Sequence, residues 1–238
     1  MQRYFASIHQ GKATLLASDI FHITSVMRMR PLDKIEIAAD GHIYLGEVVS
    51  LSPFEVRIVS SIVEDHELPN KVTLLYALAK GDKTDLVIQK ATELGISEII
   101  GLTTERTIVR LDEQDKVKKL ERYAKIIKEA GEQSQRSVLP RMERIIDYKQ
   151  IGSCHFDYQF IAYEREAGRT DAFYEILRNI PSGASIGIIV GAEGGFSENE
   201  VKFANQNGYV NVGLGKRILR SETAAIYALS VIAFILER

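Results

Sequence analysis

Residues 185–238 read SIGIIVGAEGGFSENEVKFANQNGYVNVGLGKRILRSETAAIYALSVIAFILER, and the fold follows from how that stretch divides. Residues 186–190 form a short β-branched run with the composition of a strand. Gly191, Gly194 and Gly195 follow it and permit backbone conformations and a close ligand approach that a side chain blocks. Ser197 and Glu200 then have the Ser-x-x-Glu spacing of a capping box, which predicts a helix from Glu198 to the neighbourhood of Asn207 and Gly208. A second short strand, a second loop and a last apolar helix complete the run. This succession describes part of an open α/β sheet, in which ligands lie outside the carboxyl ends of the strands.

Upstream the same alternation continues. Residues 72–79 read as a buried strand, 82–94 as a helix closed by Gly95, and 96–103 as the next strand. A long helix is expected over about 115–134, ended before Pro140, then a strand at 158–163 and a helix at 171–179. Such alternation argues for a mostly parallel sheet with helices on both faces. Residues 64–70, EDHELPN, are acidic and carry a proline, and they separate this pattern from a different one. We therefore expect two domains, 1–67 and 68–238. The first is β-rich, with strands at 4–8 and 14–16 and a helix capped by Ser18 running to Arg28 before Pro31. Strands at 33–39 and 42–51 flank the hairpin signal Asp40-Gly41, and 54–63 supplies another, which together predict a small barrel or curled sheet.

The 238 residues are 45% hydrophobic, enough to build a core, and the 30 Lys and Arg against 32 Asp and Glu leave a net charge of −2. Global charge thus gives no reason to expect nucleic acid, and any polyanion site must come from local clustering. Basic residues do cluster at strand ends: Lys80 and Lys83, then Arg106 and Arg110, with Gln133, Arg136, Arg141 and Arg144 around the end of the long helix. On one rim of the sheet they form a positive edge able to hold phosphates. The lysines between 116 and 128 follow helical spacing instead and read as a solvated face. Arg28 and Arg30 add positive charge to the first domain, and His22 reads as a helix-face side chain with a satisfied hydrogen bond. The only cysteine, Cys154, excludes an intrachain disulfide framework and fits a reducing compartment. The opening residues lack a long apolar run and the last helix carries Tyr227 and Ser230, so we expect no signal peptide, no membrane span and a cytoplasmic location.

Familiar chemistries are absent. Gly81-Asp-Lys-Thr84 lacks the upstream glycine of a P-loop, and neither glycine cluster has the spacing of a dinucleotide fingerprint. There is no His-Glu-x-x-His, no Cys-x-x-Cys and no G-x-S-x-G elbow, so no metal site and no serine nucleophile are expected. What remains is a ligand held largely by backbone, with Glu193, Arg217, Arg220 and Glu222 nearby. Each of these alone fits a structural role, Glu222 for example as a helix N-terminal charge. Three loops carrying complementary polar groups at one sheet edge make a binding crevice the better reading.

Three motifs together resemble a known family: Glu132-Gln-Ser-Gln-Arg136, Gly191-Ala-Glu-Gly-Gly-Phe-Ser197 and Leu214-Gly-Lys-Arg-Ile-Leu-Arg-Ser-Glu-Thr-Ala224. With His22-x-x-x-Val-Met-Arg28 and Lys80-Gly-Asp-Lys83 upstream, nearly the whole chain is similar to the RsmE family of ribosomal RNA methyltransferases, in the SPOUT superfamily. Ala192 stands where that family often has proline and Met27 where it often has leucine.

The resemblance implies S-adenosylmethionine-dependent methylation of N3 of a uridine in small-subunit (16S) ribosomal RNA. It implies a PUA-like β-barrel domain before a SPOUT α/β domain with a deep trefoil knot, in a homodimer. The cofactor would be held by Ala162, Tyr163 and Glu164, by Val190, Gly191, Ala192, Glu193, Gly194 and Gly195, and by Leu214, Gly215, Arg217, Ile218 and Leu219. Negative charge must build on the uridine as N3 loses its proton, so a guanidinium is expected there. Arg136 is the choice, with Gln133 and Ser134 as partners for the base and Glu193 to remove the proton; the competing reading makes Arg136 a phosphate anchor. Arg28, Arg30, Lys80, Lys83, Arg106, Arg110, Arg136 and Arg220 are the expected RNA contacts. Two other classes stay open, a non-catalytic RNA-binding protein and a different small-ligand enzyme on a doubly wound sheet.

Overall fold

A computed structural model describes residues 1–106, 111–166 and 170–238. The chain divides into two compact units, Met1–Glu67 with Lys128–Leu139, and Leu68–Ile127 with Pro140–Arg238. The second stretch of the first unit comes from within the range 68–238 that the sequence reading kept together.

The first unit holds β1 (Arg3–Phe5), β2 (Ser7–His9), β3 (Lys12–Thr14), α1 (Ala17–Phe21), β4 (Lys34–Ala39), β5 (His42–Leu51) and β6 (Phe54–Ile62). They form one sheet in the order β1-β4-β5-β6-β3-β2, with β1 parallel to β4 and the other pairs antiparallel. Asp40 and Gly41 have φ of 50° and 77°, the left-handed pair that a two-residue hairpin turn requires. Tyr4, Ile23, Ile35, Ile37, Val48 and Val56 are the buried apolar side chains that these strands and the helical turn press together. Ser18 does not cap the helix as expected: its hydroxyl donates to Asp19 Oδ1 at 3.4 Å, and α1 starts from Leu16 without a side-chain cap. Helical structure goes on as a π-helical turn over His22–Val26 and ends before Arg28, which has φ 54°.

The second unit contains β7 (Lys71–Ala77), α2 (Lys83–Glu93), β8 (Glu98–Thr103), α3 (Glu113–Gln133), β9 (Ile145–Asp147), β10 (Tyr158–Ala162), α4 (Thr170–Leu177), β11 (Ser185–Val190), α5 (Glu198–Gln206), β12 (Val210–Val212) and α6 (Ser221–Leu236); the last turns of α3 belong to the first unit. Every strand pair here is parallel, in the order β12-β10-β11-β7-β8-β9. Strands buried on both faces need apolar residues throughout, and β7 and β11 are buried over nearly their full length. The capping box at α5 is present in both directions: Glu200 N donates to Ser197 Oγ at 3.2 Å, and Ser197 N donates to Glu200 Oε2 at 2.8 Å. Strand β9 and the 3-10 turn after it (Tyr148–Ser153) were not foreseen. Among the described residues no helix is long and apolar enough to cross a membrane.

Candidate active site

Register places the site. Ala162 pairs with Val212 and Val190 with Tyr76, so β12, β10, β11 and β7 end nearly level, and the loops after the first three leave from one edge of the sheet. These loops surround a cavity of about 450 Å³, within the roughly 300–1,000 Å³ of small-molecule sites. Ala162, Tyr163 and Glu164 supply the wall after β10; Val190, Gly191, Ala192, Glu193, Gly194 and Gly195 the wall after β11; Leu214, Gly215, Arg217, Ile218 and Leu219 the wall after β12. All the residues expected around a cofactor therefore meet at one cavity. Lys83, Phe196, Arg220, Ser221 and Ala224 line it as well.

The glycine loop is held from behind. Ser221 Oγ donates to the Gly191 carbonyl at 2.7 Å and lies 2.9 Å from the Tyr76 hydroxyl, which donates to it in turn. Tyr76 is buried, and burial foremost pushes its phenol up to about 12, so it stays a neutral donor. Gly195 N donates to the Ala192 carbonyl at 2.9 Å, closing the loop on itself. Arg106 Nη1 donates to the Gly194 carbonyl at 2.6 Å, which sets this arginine as a brace of the loop. A Cβ on Gly191 would stand 2.9 Å from the Phe196 ring, a ring packed in the unit's core, so the loop cannot carry a side chain there without moving that ring.

Charge gathers at Glu193. The Lys83 ammonium donates to its carboxylate, and the Glu222 carboxylate lies 3.9 Å from the same ammonium. The Lys83 hydrogen bond, then the charges of Lys83, Lys80 and Arg220, hold Glu193 below the ordinary carboxylate range. Glu222 Oε2 is buried and has no hydrogen-bond partner among the described residues.

The other expected catalytic residues, Gln133, Ser134 and Arg136, belong to the first unit and do not line this cavity. Arg136 is only 3% exposed, and its guanidinium donates through Nε at 3.1 Å and through Nη2 to Glu67. Glu67 also accepts from Ser137 N at 2.9 Å, Ser137 Oγ at 3.1 Å and Val138 N at 3.1 Å. The expectation of an arginine free to face a base meets a buried ion pair, because a carboxylate drawn into that turn needs a countercharge. Ser134 Oγ donates to the Ala130 carbonyl of its own helix at 2.7 Å, whereas the Gln133 side chain is exposed. Among the expected RNA contacts, Arg28, Arg30, Lys80, Arg106 and Arg220 are exposed, Lys83 is half-buried at the cavity, and Arg110 lies outside the described residues. Tyr76 and Ser221 were missed as site residues: 145 positions separate them, and no local pattern links a strand tyrosine to a helix-start serine.

Residues 66–233 match the family model described as an RNA methyltransferase domain. A Bacillus subtilis (strain 168) protein named ribosomal RNA small subunit methyltransferase E is 38% identical, over 98% of this chain and 96% of its own. A Synechocystis protein of the same name is 31% identical, over 97% of this chain and 75% of its own. The crystal structure of a Neisseria gonorrhoeae ribosomal RNA small subunit methyltransferase E bound to S-adenosyl methionine is similar at a TM-score of 0.84 and 31% identity, covering 98% of this chain and 97% of that one.

Proposed function

Because this chain belongs to the RNA methyltransferase domain family, together with the ribosomal RNA small subunit methyltransferases E, we propose that it methylates N3 of a uridine in small-subunit ribosomal RNA with S-adenosylmethionine. The observation that carries this reading is the cavity at the carboxyl ends of β10, β11 and β12. Its glycine wall presents backbone groups at close range, and Val190, Ile218 and Leu219 offer apolar surface to an adenine. Residues 162–164, 190–195 and 214–219 hold the cofactor. When bound, S-adenosylmethionine supplies a methyl group activated by a positively charged sulfur.

The chain's own residues supply the rest. Glu193, which lines the cavity, takes the proton that N3 must lose, and an ionised carboxylate is the state that accepts it. Arg106 and Ser221 keep the glycine loop fixed by holding the carbonyls of Gly194 and Gly191. Arg28, Arg30, Lys80 and Arg220, all exposed, meet RNA phosphates. Arg136, paired with Glu67, secures the turn after α3, and Gln133 is the residue there that can reach RNA.

The first unit acts as a PUA-like β-barrel that holds RNA, and the second threads the trefoil knot of SPOUT enzymes, with the domain boundary in the sequence between residues 67 and 68. Two copies associate through α6, whose Tyr227 and Phe234 are 42% and 58% exposed. The protein works in the cytoplasm. Calorimetry tests the cofactor reading: S-adenosylmethionine binds, whereas no binding favours a non-catalytic RNA binder and selective binding of another nucleotide favours a different enzyme.

A further inference from the structure

Lys83 is a cation of the cavity wall that faces two carboxylates. It is the first residue of α2, it lines the cavity, and it touches carboxylates from two other parts of the chain. Those carboxylates differ. The Glu193 side chain is 42% exposed, while that of Glu222 is 14% exposed and buries an oxygen with no hydrogen-bond partner among the described residues. A buried carboxylate oxygen without a donor is costly unless a cation stands near it. Glu222 therefore fixes the ammonium at this point of the rim instead of leaving it to solvent. One ammonium between two carboxylates leaves this point of the rim net negative, which argues against the RNA contact expected of Lys83.

We propose that Lys83 is a positioning residue for methyl transfer: anchored by Glu222, it holds the Glu193 carboxylate at the cavity rim to accept the N3 proton of uridine. The proposal rests on the function given above. In the step the N3–H bond breaks and its proton passes to a Glu193 oxygen; the electron pair left on N3 forms the N–CH3 bond as the S–CH3 bond of S-adenosylmethionine breaks, that bond's pair staying on sulfur, which leaves as a neutral thioether. Glu222 keeps the ammonium compensated once Glu193 is neutral. The groups whose charge reaches Glu193 are Lys83 at the start of α2, Lys80 just before it and Arg220 just before α6; Glu222, the first acidic residue of α6, faces the Lys83 ammonium, and the Tyr76 phenol on β7 feels both carboxylates. Of these, Lys83 has the largest effect in keeping Glu193 ionised.

The test combines a carbon-13 NMR titration of Glu193 in the cofactor-free protein with single-turnover methylation. Lys83→Met is expected to move the Glu193 titration to higher pH and to move the acidic limb of the rate profile the same way, and Lys83→Arg restores both. Glu193→Gln lowers the rate by about 100-fold, the low end for losing a general base, and Lys83→Met by about 10-fold. Because Lys83 acts through Glu193, the double variant is no slower than Glu193→Gln alone. Losses that multiply, or a Glu193 titration unmoved in Lys83→Met, overturn the proposal. So does a raised KM for RNA with a flatter salt dependence and unchanged kcat, which marks a phosphate contact. Should Lys83→Met unfold by stranding Glu222, Lys83→Met with Glu222→Gln removes both charges and gives the same titration. A wild-type protein that transfers no methyl group refutes the function itself; an active one with an unmoved titration refutes this proposal alone.

Discussion

Replacing Arg136 by methionine keeps most of the side-chain volume and removes the charge and donors that Glu67 depends on. In the native fold Glu67 accepts from Arg136 Nε at 3.1 Å, from Arg136 Nη2, and from Ser137 N, Ser137 Oγ and Val138 N. Removing one partner of a buried ion pair costs about 3–5 kcal/mol. The Glu67 side chain is 22% exposed and keeps the donors of Ser137 and Val138. The loss is therefore placed lower, at about 2–3 kcal/mol. For a chain of this length that is a fall of about 4–12 °C in Tm. The pH dependence has a definite sign. Burial pushes Glu67 up, but the Arg136 hydrogen bond and charge and the amides of Val138 and Ser137 outweigh it, leaving the folded value below the ordinary 4.5. Such a group contributes stability that is complete above its unfolded value and is lost as pH falls through the folded one. The gap between wild type and Arg136→Met is then full at pH 7 and narrows as pH falls below the unfolded value of about 4.5 towards the lower folded one. Urea denaturation followed by circular dichroism at several pH values reads it. A variant with wild-type stability at pH 7 that has lost methyl transfer refutes the reasoning and returns Arg136 to a catalytic role.

Gly194→Val adds a side chain whose Cβ would stand 3.2 Å from that of Arg106, and cofactor affinity is expected to fall about 10- to 100-fold with the fold retained. Calorimetry checks it, and unchanged affinity would take the glycine loop out of the site. Ser221→Ala strands the Tyr76 hydroxyl and the Gly191 carbonyl, both buried, at a cost of about 1–3 kcal/mol in chemical denaturation. Sedimentation should find a dimer at micromolar concentration that Tyr227→Glu weakens, since that residue is exposed on α6; a wild-type monomer would count against the α6 interface.

Features set by neighbouring residues are legible in the sequence. Ser197 and Glu200 cap α5 as their spacing requires, and Asp40-Gly41 turns the β4–β5 hairpin, because both depend on hydrogen bonds and backbone conformations within a few positions. Ser18 misled for the same local reason: it has the right chemistry for a cap, but the N-cap position falls two residues earlier, on Leu16, and the hydroxyl turns to Asp19. The three residues of β9 were too few to show a period. Strand order was not legible either, since β11 sits between β10 and β7 on the strength of side-chain packing across the whole sheet. At the site the glycine loop and the presence of a polar second loop with Arg217 could be read from residue type alone, whereas the wall after β10 and the remaining cofactor residues after β12 came from the resemblance. Lys83 and Glu193 are 110 positions apart and Arg136 and Glu67 are 69 apart. Pairings of that kind depend on the fold, so a lysine and an arginine read as RNA-facing or catalytic turned out to be committed to carboxylates.

Methyl transfer to one uridine is read most directly by incubating the folded protein with small-subunit ribosomal RNA, free and in assembled subunits, and S-adenosylmethionine carrying a labelled methyl group, then mapping the labelled nucleoside. Label on N3 of a single uridine in either substrate, lost with Glu193→Gln, is the predicted result. A protein that binds the cofactor yet leaves both substrates unlabelled, or labels a carbon or a ribose oxygen, contradicts it.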